Sequence, residues 1–143
     1  TQLLELTQVP AVALTVDRHG VVYWRTRGSI NKLSDAKTPM LLAGSSTETG
    51  TADGTGASAR FGANGGIAAD ASGNIYVADT DNSTVRKVTP GGVVTTIAGV
   101  PGSDTFAPGS LPGGLAHPTD VVPVGSNLYV TMPTAIAVVR NRP

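Results

Sequence analysis

The side chains that most often carry acid-base or metal chemistry are few in this chain and far apart. The 143 residues contain two histidines, His19 and His117, and no cysteine, which excludes disulfides and thiolate metal sites. Asp120 follows His117 by three residues, whereas His19 is predicted to lie in a turn at the opposite end of its structural unit. No serine occupies a Gly-x-Ser-x-Gly elbow. We therefore predict no catalytic residue, no metal and no cofactor.

Polar side chains that follow predicted strands are better candidates for ligand binding. Arg25 and Arg27 have no acidic neighbour in sequence, so they either meet an anionic partner or are simply solvated, and both readings stay open. Asp79 and Asn82 lie at a strand-to-strand turn, where short polar side chains usually bond their own backbone, and that interpretation is favoured for them. The candidate set for ligand binding is Arg25, Arg27, Asp79, Asp81, Asn82 and His117.

The composition favours an all-β fold without a strongly charged surface. There are 18 Gly and 10 Pro residues, and the apolar runs between turn signals are short. The 10 Lys and Arg residues balance the 10 Asp and Glu residues, so no general positive field attracts nucleic acid. No apolar run reaches the roughly 20 residues that a transmembrane helix needs. We expect neither nucleic-acid binding nor membrane insertion.

The positions that carry these side chains are set by an internal repeat. Tyr23, Tyr76 and Tyr129 are spaced by 53 residues and then by 53 again, and each lies in a similar short apolar block. Each unit has an apolar run before this block and a third run after it, and the first two units add a fourth run that ends at Gly44 or Gly99. Short turns between such runs predict a four-stranded antiparallel meander.

These predicted sheets must be covered on both faces. In the second unit Tyr76 and Ala78 point to one side, Ile75 and Val77 point to the other, and neither side is polar. Such sheets have to stack face to face, and radial stacking of four-stranded sheets gives a β-propeller. Trp24 aligns with Val77 and is predicted to pack between blades. We therefore predict three propeller blades in this chain.

The second unit carries a specific family resemblance. The run from Gly66 to Val88, with Asp79, Asn82, Val85 and Lys87 at characteristic spacing, resembles a bacterial NHL repeat. The preceding segment, from Thr51 to Phe61, is similar to an insert that is common in bacterial versions. The first and third units match less well, because both lack the Ala-Asp-Thr-x-Asn stretch and have loops two residues shorter. The resemblance implies half of a six-bladed propeller.

The repeat also predicts the domain organisation. One domain covers residues 1–143, with an outer strand at 1–6 that completes a blade, blade 1 at 9–44, blade 2 at 65–99, and an incomplete blade 3 at 117–143. Three blades do not close a ring, since propellers have roughly four to eight. The missing blades would come either from a second copy, in a homodimer, or from the rest of a longer chain.

The predicted meander places the long segments 45–64 and 100–116 at the same end as the loops after the second strands. Binding residues concentrate on such loops over a rigid scaffold. The resemblance implies a non-enzymatic binding or scaffolding module that presents this loop-rich end to a protein or small ligand, with an extracellular sensor domain as one form of that role. It also implies an extracellular or cell-envelope location. The alternative is a metal-dependent propeller lyase or lactonase with a site at the central channel.

Overall fold

The computed structural model describes residues 10–35 and 38–140, which form three antiparallel β-sheets. The first sheet has the order β1-β2-β3-β4. Its strands are β1 (Ala13–Val16), β2 (Val22–Arg25), β3 (Ser29–Leu33) and β4 (Pro39–Gly44). Each strand pairs with the next one along the chain, so this sheet is the predicted meander, and we call it blade 1.

The second sheet, blade 2, has five strands in the order β5-β9-β8-β7-β6. Its strands are β5 (Gly54–Thr55), β6 (Ile67–Ala69), β7 (Ile75–Asp79), β8 (Thr84–Val88) and β9 (Val93–Gly99). The extra outer strand β5 belongs to the segment between blades 1 and 2 and was not predicted. This segment therefore covers the outer edge of β9 as well as connecting two blades.

The third sheet, blade 3, has the order β10-β11-β12. Its strands are β10 (Asp120–Val124), β11 (Asn127–Met132) and β12 (Ala135–Val139). The outer strand predicted at residues 1–6 lies outside the described residues. Two short 3-10 turns, Gly56–Ser58 and Thr80–Asn82, are the helical elements of the described chain, and no helix there is long and apolar enough to cross a membrane.

The same kind of turn precedes the tyrosine in blades 1 and 2. Asp70 accepts hydrogen bonds from the backbone amides of Ser72 and Asn74, at 2.8 and 3.0 Å, and from the hydroxyl of Tyr76 at 3.1 Å. In blade 1, Asp17 makes the same kind of turn and accepts the hydroxyl of Tyr23 at 3.4 Å. The aspartate thus fixes the first hairpin and holds a tyrosine six residues later.

The apolar residues form two cores, one between each pair of neighbouring blades. Ile75 and Val77 lie in the core shared with blade 1, which also contains Tyr23 and Ile30. Tyr76 and Ala78 lie in the core shared with blade 3, together with members such as Val121, Leu128 and Val130. The predicted alternation along the second strand of blade 2 is confirmed, and both faces of that blade are buried. The three sheets are therefore stacked as propeller blades.

Candidate functional site

The long connections meet the short turns at one end of the sheets. The amide of Ser45 donates to the carbonyl of Gly28 at 3.0 Å, which joins segment 45–64 to the turn after β2. The hydroxyl of Thr80 donates to the carbonyl of Pro118 at 2.6 Å, which joins the turn after β7 to segment 100–119. We call this surface the loop-rich end. Its existence follows from meander topology, and these contacts hold its loops together.

A buried carboxylate lies beneath this end. Asp79, the last residue of β7, is fully buried and accepts four hydrogen bonds. Its Oδ1 accepts from the amide of Gly62 at 2.8 Å and from Arg25 Nη2 at 3.2 Å. Its Oδ2 accepts from Asn82 Nδ2 at 2.7 Å and from Arg86 Nη1 at 3.1 Å. One carboxylate thus connects blade 1, blade 2 and segment 45–64.

Arg25 joins blades 1 and 2. Its guanidinium is fully buried and donates to the carbonyl oxygens of Ala78 at 2.9 Å and Gly62 at 2.8 Å as well as to Asp79. Burial lowers the pKa of Arg25, and the negative charge of Asp79 acts in the opposite direction. The side chain is enclosed, so its contacts are with the protein's own backbone and with Asp79.

Arg86 fixes the other side of segment 45–64. It lies on β8 and donates to Asp53 Oδ1 at 2.6 Å and to the carbonyl oxygen of Ala52 at 2.9 Å. Its guanidinium carbon lies 5.3 Å from the centre of the Phe61 ring, a cation–π distance. Partial burial would raise the pKa of Asp53, but hydrogen bonds from Thr96 and Arg86 lower it overall. Segment 45–64 is therefore held by Arg86, through Asp53 and Phe61, and by Asp79, through the amide of Gly62.

The interpretation that the side chains of Asp79 and Asn82 hydrogen-bond the backbone of their own turn is wrong. Asp79 accepts from Gly62 and from two arginines, and Asn82 Nδ2 donates to the carbonyl of Gly50 at 2.7 Å as well as to Asp79. Their partners are 7 to 54 residues away, except for the contact between the two side chains themselves. Sequence inspection also missed Arg86 and Asp53. The available signal was an arginine in the middle of a predicted strand, between Thr84 and Val88.

Asp81 and Arg27 are the exposed members of the candidate set near this network. Asp81 accepts from the amide of Ala63 at 2.7 Å and from Asn64 Nδ2 at 3.1 Å. The Asn64 hydrogen bond is the main cause that lowers the pKa of Asp81, and the positive charges of Arg25 and Arg27 act in the same direction. The exposed charges of Asp81 and Arg27 are thus close enough to interact.

Arg27 also borders a polar cleft. The cleft has a volume of about 280 Å³ and lies between the turn after β2 and the start of segment 45–64. Its lining residues are Arg27, Gly28, Ser45, Ser46, Thr47, Glu48 and Thr49. Glu48 is ion-paired with Arg60, which leaves Arg27 as the cation at the cleft without a hydrogen-bond or ion-pair partner among the described residues. The cleft therefore offers one unpaired positive charge, several hydroxyl groups and the ion-paired carboxylate of Glu48.

His117 lies apart from this cleft. Its Nε2 is 3.2 Å from Asp104 Oδ1, and its Nδ1 is 3.4 Å from the carbonyl oxygen of Thr80. The ring is about half exposed, and the residue has a φ of 50°, which few non-glycine residues adopt. Within residues 10–35 and 38–140, no group of three or more His, Asp or Glu side chains could hold a metal ion. His19 is in the β1–β2 turn, at the other end of the sheets, where its Nε2 accepts from Arg18 Nε at 2.9 Å.

Comparisons with known proteins agree with this architecture. Residues 65–88 match the NHL repeat family model, and no curated protein matches the chain. An auxiliary nutrient binding protein from Bacteroides thetaiotaomicron VPI-5482 superposes with a TM-score of 0.69 at 21% identity, over 82% of this chain and 33% of that one. The extracellular domain described as part of a hybrid two component system from B. thetaiotaomicron gives 0.56 at 14% identity, over 97% and 18%.

Virginiamycin B lyase from Staphylococcus aureus is more distant, with a TM-score of 0.50 at 10% identity over 89% of this chain and 40% of that one. At these identities the similarity shows the fold alone. The chain is an all-β propeller segment with an NHL repeat in its second blade. It spans about a third of the length of the nutrient binding protein that it resembles.

Proposed function

We propose that this chain is a non-enzymatic binding module whose loop-rich end takes a small, hydroxyl-rich anion in the cleft beside Arg27. The observation that carries the proposal is the exposed guanidinium of Arg27 at a cleft lined by Ser45, Ser46, Thr47 and Thr49. A carboxylate ligand would meet Arg27 in a charge-assisted hydrogen bond, and its hydroxyl groups would meet the serine and threonine side chains. A sugar acid has this combination of groups.

The support beneath the cleft favours binding over catalysis. Asp79, Arg25 and Arg86 hold segment 45–64 through buried hydrogen bonds, so the loops are kept in place before a ligand arrives. A preorganised loop loses less entropy on binding than a mobile one. Arg27 and Asp81 stay exposed above this support. A similar fold occurs in a nutrient binding protein, which is consistent with the proposed role.

The proposed location is extracellular or in the cell envelope. An extracellular domain and a nutrient binding protein share the fold, and the proposed ligand is a small polar molecule of the kind that such proteins meet. The sensor role would require a second domain to receive the signal. It is therefore a further step in the proposal, beyond the binding itself.

Titration calorimetry with glucuronate as the probe tests the proposed cleft. We expect Arg27→Gln to weaken glucuronate binding by about 10- to 100-fold, because a hydrogen bond to a charged group is worth about 1.5–3 kcal/mol. Arg18→Gln, which removes an exposed arginine at the opposite end, serves as the control and should leave the affinity unchanged. Equal glucuronate affinity in both variants, or no binding to the unaltered chain, would contradict the proposal.

A further inference from the structure

The outer face of blade 3, which points away from blade 2, is apolar and open in the described structure. Strand pairing makes Tyr129 the counterpart of Tyr76, and Ile136 the counterpart of Val85. Tyr76 and Val85 are 1% and 0% exposed, because blade 3 covers them, whereas Tyr129 and Ile136 are 40% and 70% exposed. Val122 and Val138 on the same face are also exposed. The face therefore has the residue types of a blade–blade interface.

The face of blade 1 that points away from blade 2 shows the same feature. Pairing of Leu14 with Trp24 corresponds to pairing of Ile67 with Val77 in blade 2. Ile67 is 6% exposed because it packs in the core shared with blade 1, whereas Leu14 is 64% exposed. Val16, the counterpart of Ala69, is also exposed. A large exposed apolar patch on a folded domain usually marks an interface.

The two open faces are complementary in kind. Within the chain, the face of blade 2 that carries Tyr76 packs against blade 3, and the face of blade 2 that carries Ile67 packs against blade 1. The open face of blade 3 corresponds to the Tyr76 face of blade 2, and the open face of blade 1 corresponds to the Ile67 face of blade 2. A second copy of this chain would present a matching face to each of them.

We propose that two copies of this chain close one six-bladed ring, with blade 3 of each copy packed against blade 1 of the other. Each copy contributes three blades, and the ring then has a blade number within the usual range of about four to eight. Both open faces are buried in a single closed assembly with two equivalent interfaces. These interfaces continue the packing seen between blades 1, 2 and 3.

The outer edge of blade 3 is also open among the described residues. In blade 2, β9 lies between β8 and the short outer strand β5. In blade 3, β12 is the last strand of the described sheet, and a cleft of about 400 Å³ lies between it and the loop around Phe106 to Gly114. A strand of the second copy could add to this open edge of β12.

The molecular mass in solution tests the proposal directly. We expect size-exclusion chromatography with light scattering to give twice the 14.4 kDa of one chain. Ile136→Asp and Leu14→Asp should each weaken dimerisation by at least about 100-fold, because each places a charge in both interfaces. The control is Val93→Asp, which adds a charge at an exposed valine on β9 of blade 2, away from both open faces. It should remain dimeric.

Mixing the two variants tests which faces meet. A mixed dimer of Ile136→Asp with Leu14→Asp contains one unaltered interface, so the mixture should recover part of the dimer that neither variant forms alone. No recovery would overturn the pairing of blade 3 with blade 1. A well-folded monomer for the unaltered chain, as expected if further blades of a longer chain cover these faces, would overturn the proposal. An assembly that grows beyond two copies would also overturn it.

Discussion

Replacing Asp79 with asparagine should be one of the most destabilising single changes in this chain. Asp79→Asn keeps the size of the side chain and removes its negative charge. Arg25 and Arg86 would then remain buried, with no carboxylate between them. Breaking a buried ion pair by removing one partner typically costs about 3–5 kcal/mol, because the remaining charge is left uncompensated.

The contacts that survive place the expected cost at the lower end of this range. Arg25 keeps the carbonyl oxygens of Ala78 and Gly62, and Arg86 keeps Asp53 and two carbonyl oxygens. We therefore expect the free energy of unfolding to fall by about 3 kcal/mol. With a urea dependence of about 2 kcal/mol per molar, the unfolding midpoint should fall by about 1.5 M.

Urea unfolding followed by circular dichroism measures this effect, at one fixed protein concentration because self-association would alter the midpoint. Asp81→Asn is the matched control, since it removes an exposed carboxylate two residues away and should cost less than about 1 kcal/mol. If Asp79→Asn lowers the midpoint no more than Asp81→Asn does, the buried charge does not support the fold as argued.

Two further changes test the close packing of the chain at Gly65 and the hydrogen-bonded turn at Asp70. Gly65→Ala should destabilise the protein much more than Gly20→Ala in thermal unfolding. Both glycines have positive φ, but a Cβ at Gly65 would lie 1.8 Å from the carbonyl oxygen of Ala78. A Cβ at Gly20 would lie more than 4 Å from the rest of the described chain, its two sequence neighbours aside. Partial burial would raise the pKa of Asp70, but hydrogen bonds from Asn74, Ser72 and Tyr76 lower it overall. Its stabilisation is present above the unfolded value of about 3.9 and is lost as pH falls through the lower folded value. Asp70→Asn should therefore flatten the decrease in melting temperature below about pH 4, and an unchanged slope would contradict this reasoning.

The repeat and the alternation of apolar residues predicted the blades because both are local properties of the sequence. A residue's neighbour along a strand decides which face it occupies, and this was enough to place Tyr76 and Val77 in different cores. The short strand β5 was missed because its two residues, Gly54 and Thr55, carry no strand pattern. Its pairing depends on the neighbouring edge of β9.

The buried network could not be predicted in the same way, because its partners are distant in sequence. Arg25 and Asp79 are separated by 54 positions, and Arg86 and Asp53 by 33. Arg25, Asp53 and Asp79 look like loop or strand-end residues when read locally, and Arg86 looks like a polar residue within a strand. Only the stacking of blade 1 on blade 2 brings Arg25 to the carboxylate, so the sequence identified the residue without its role.

Burial within the stacked blades determines which candidate residues remain available for binding. A buried charge has to be paired, and Arg25 and Asp79 pair with each other inside the fold, so neither is available at the surface. Arg27 is two residues from Arg25 but lies in the turn beyond the strand end, where blade 2 no longer covers it. Because the buried pair fixes the strand end, the position of Arg27 is set by the same contacts that remove Arg25 from the surface. The exposed arginine is therefore the one that the fold holds in place for a ligand.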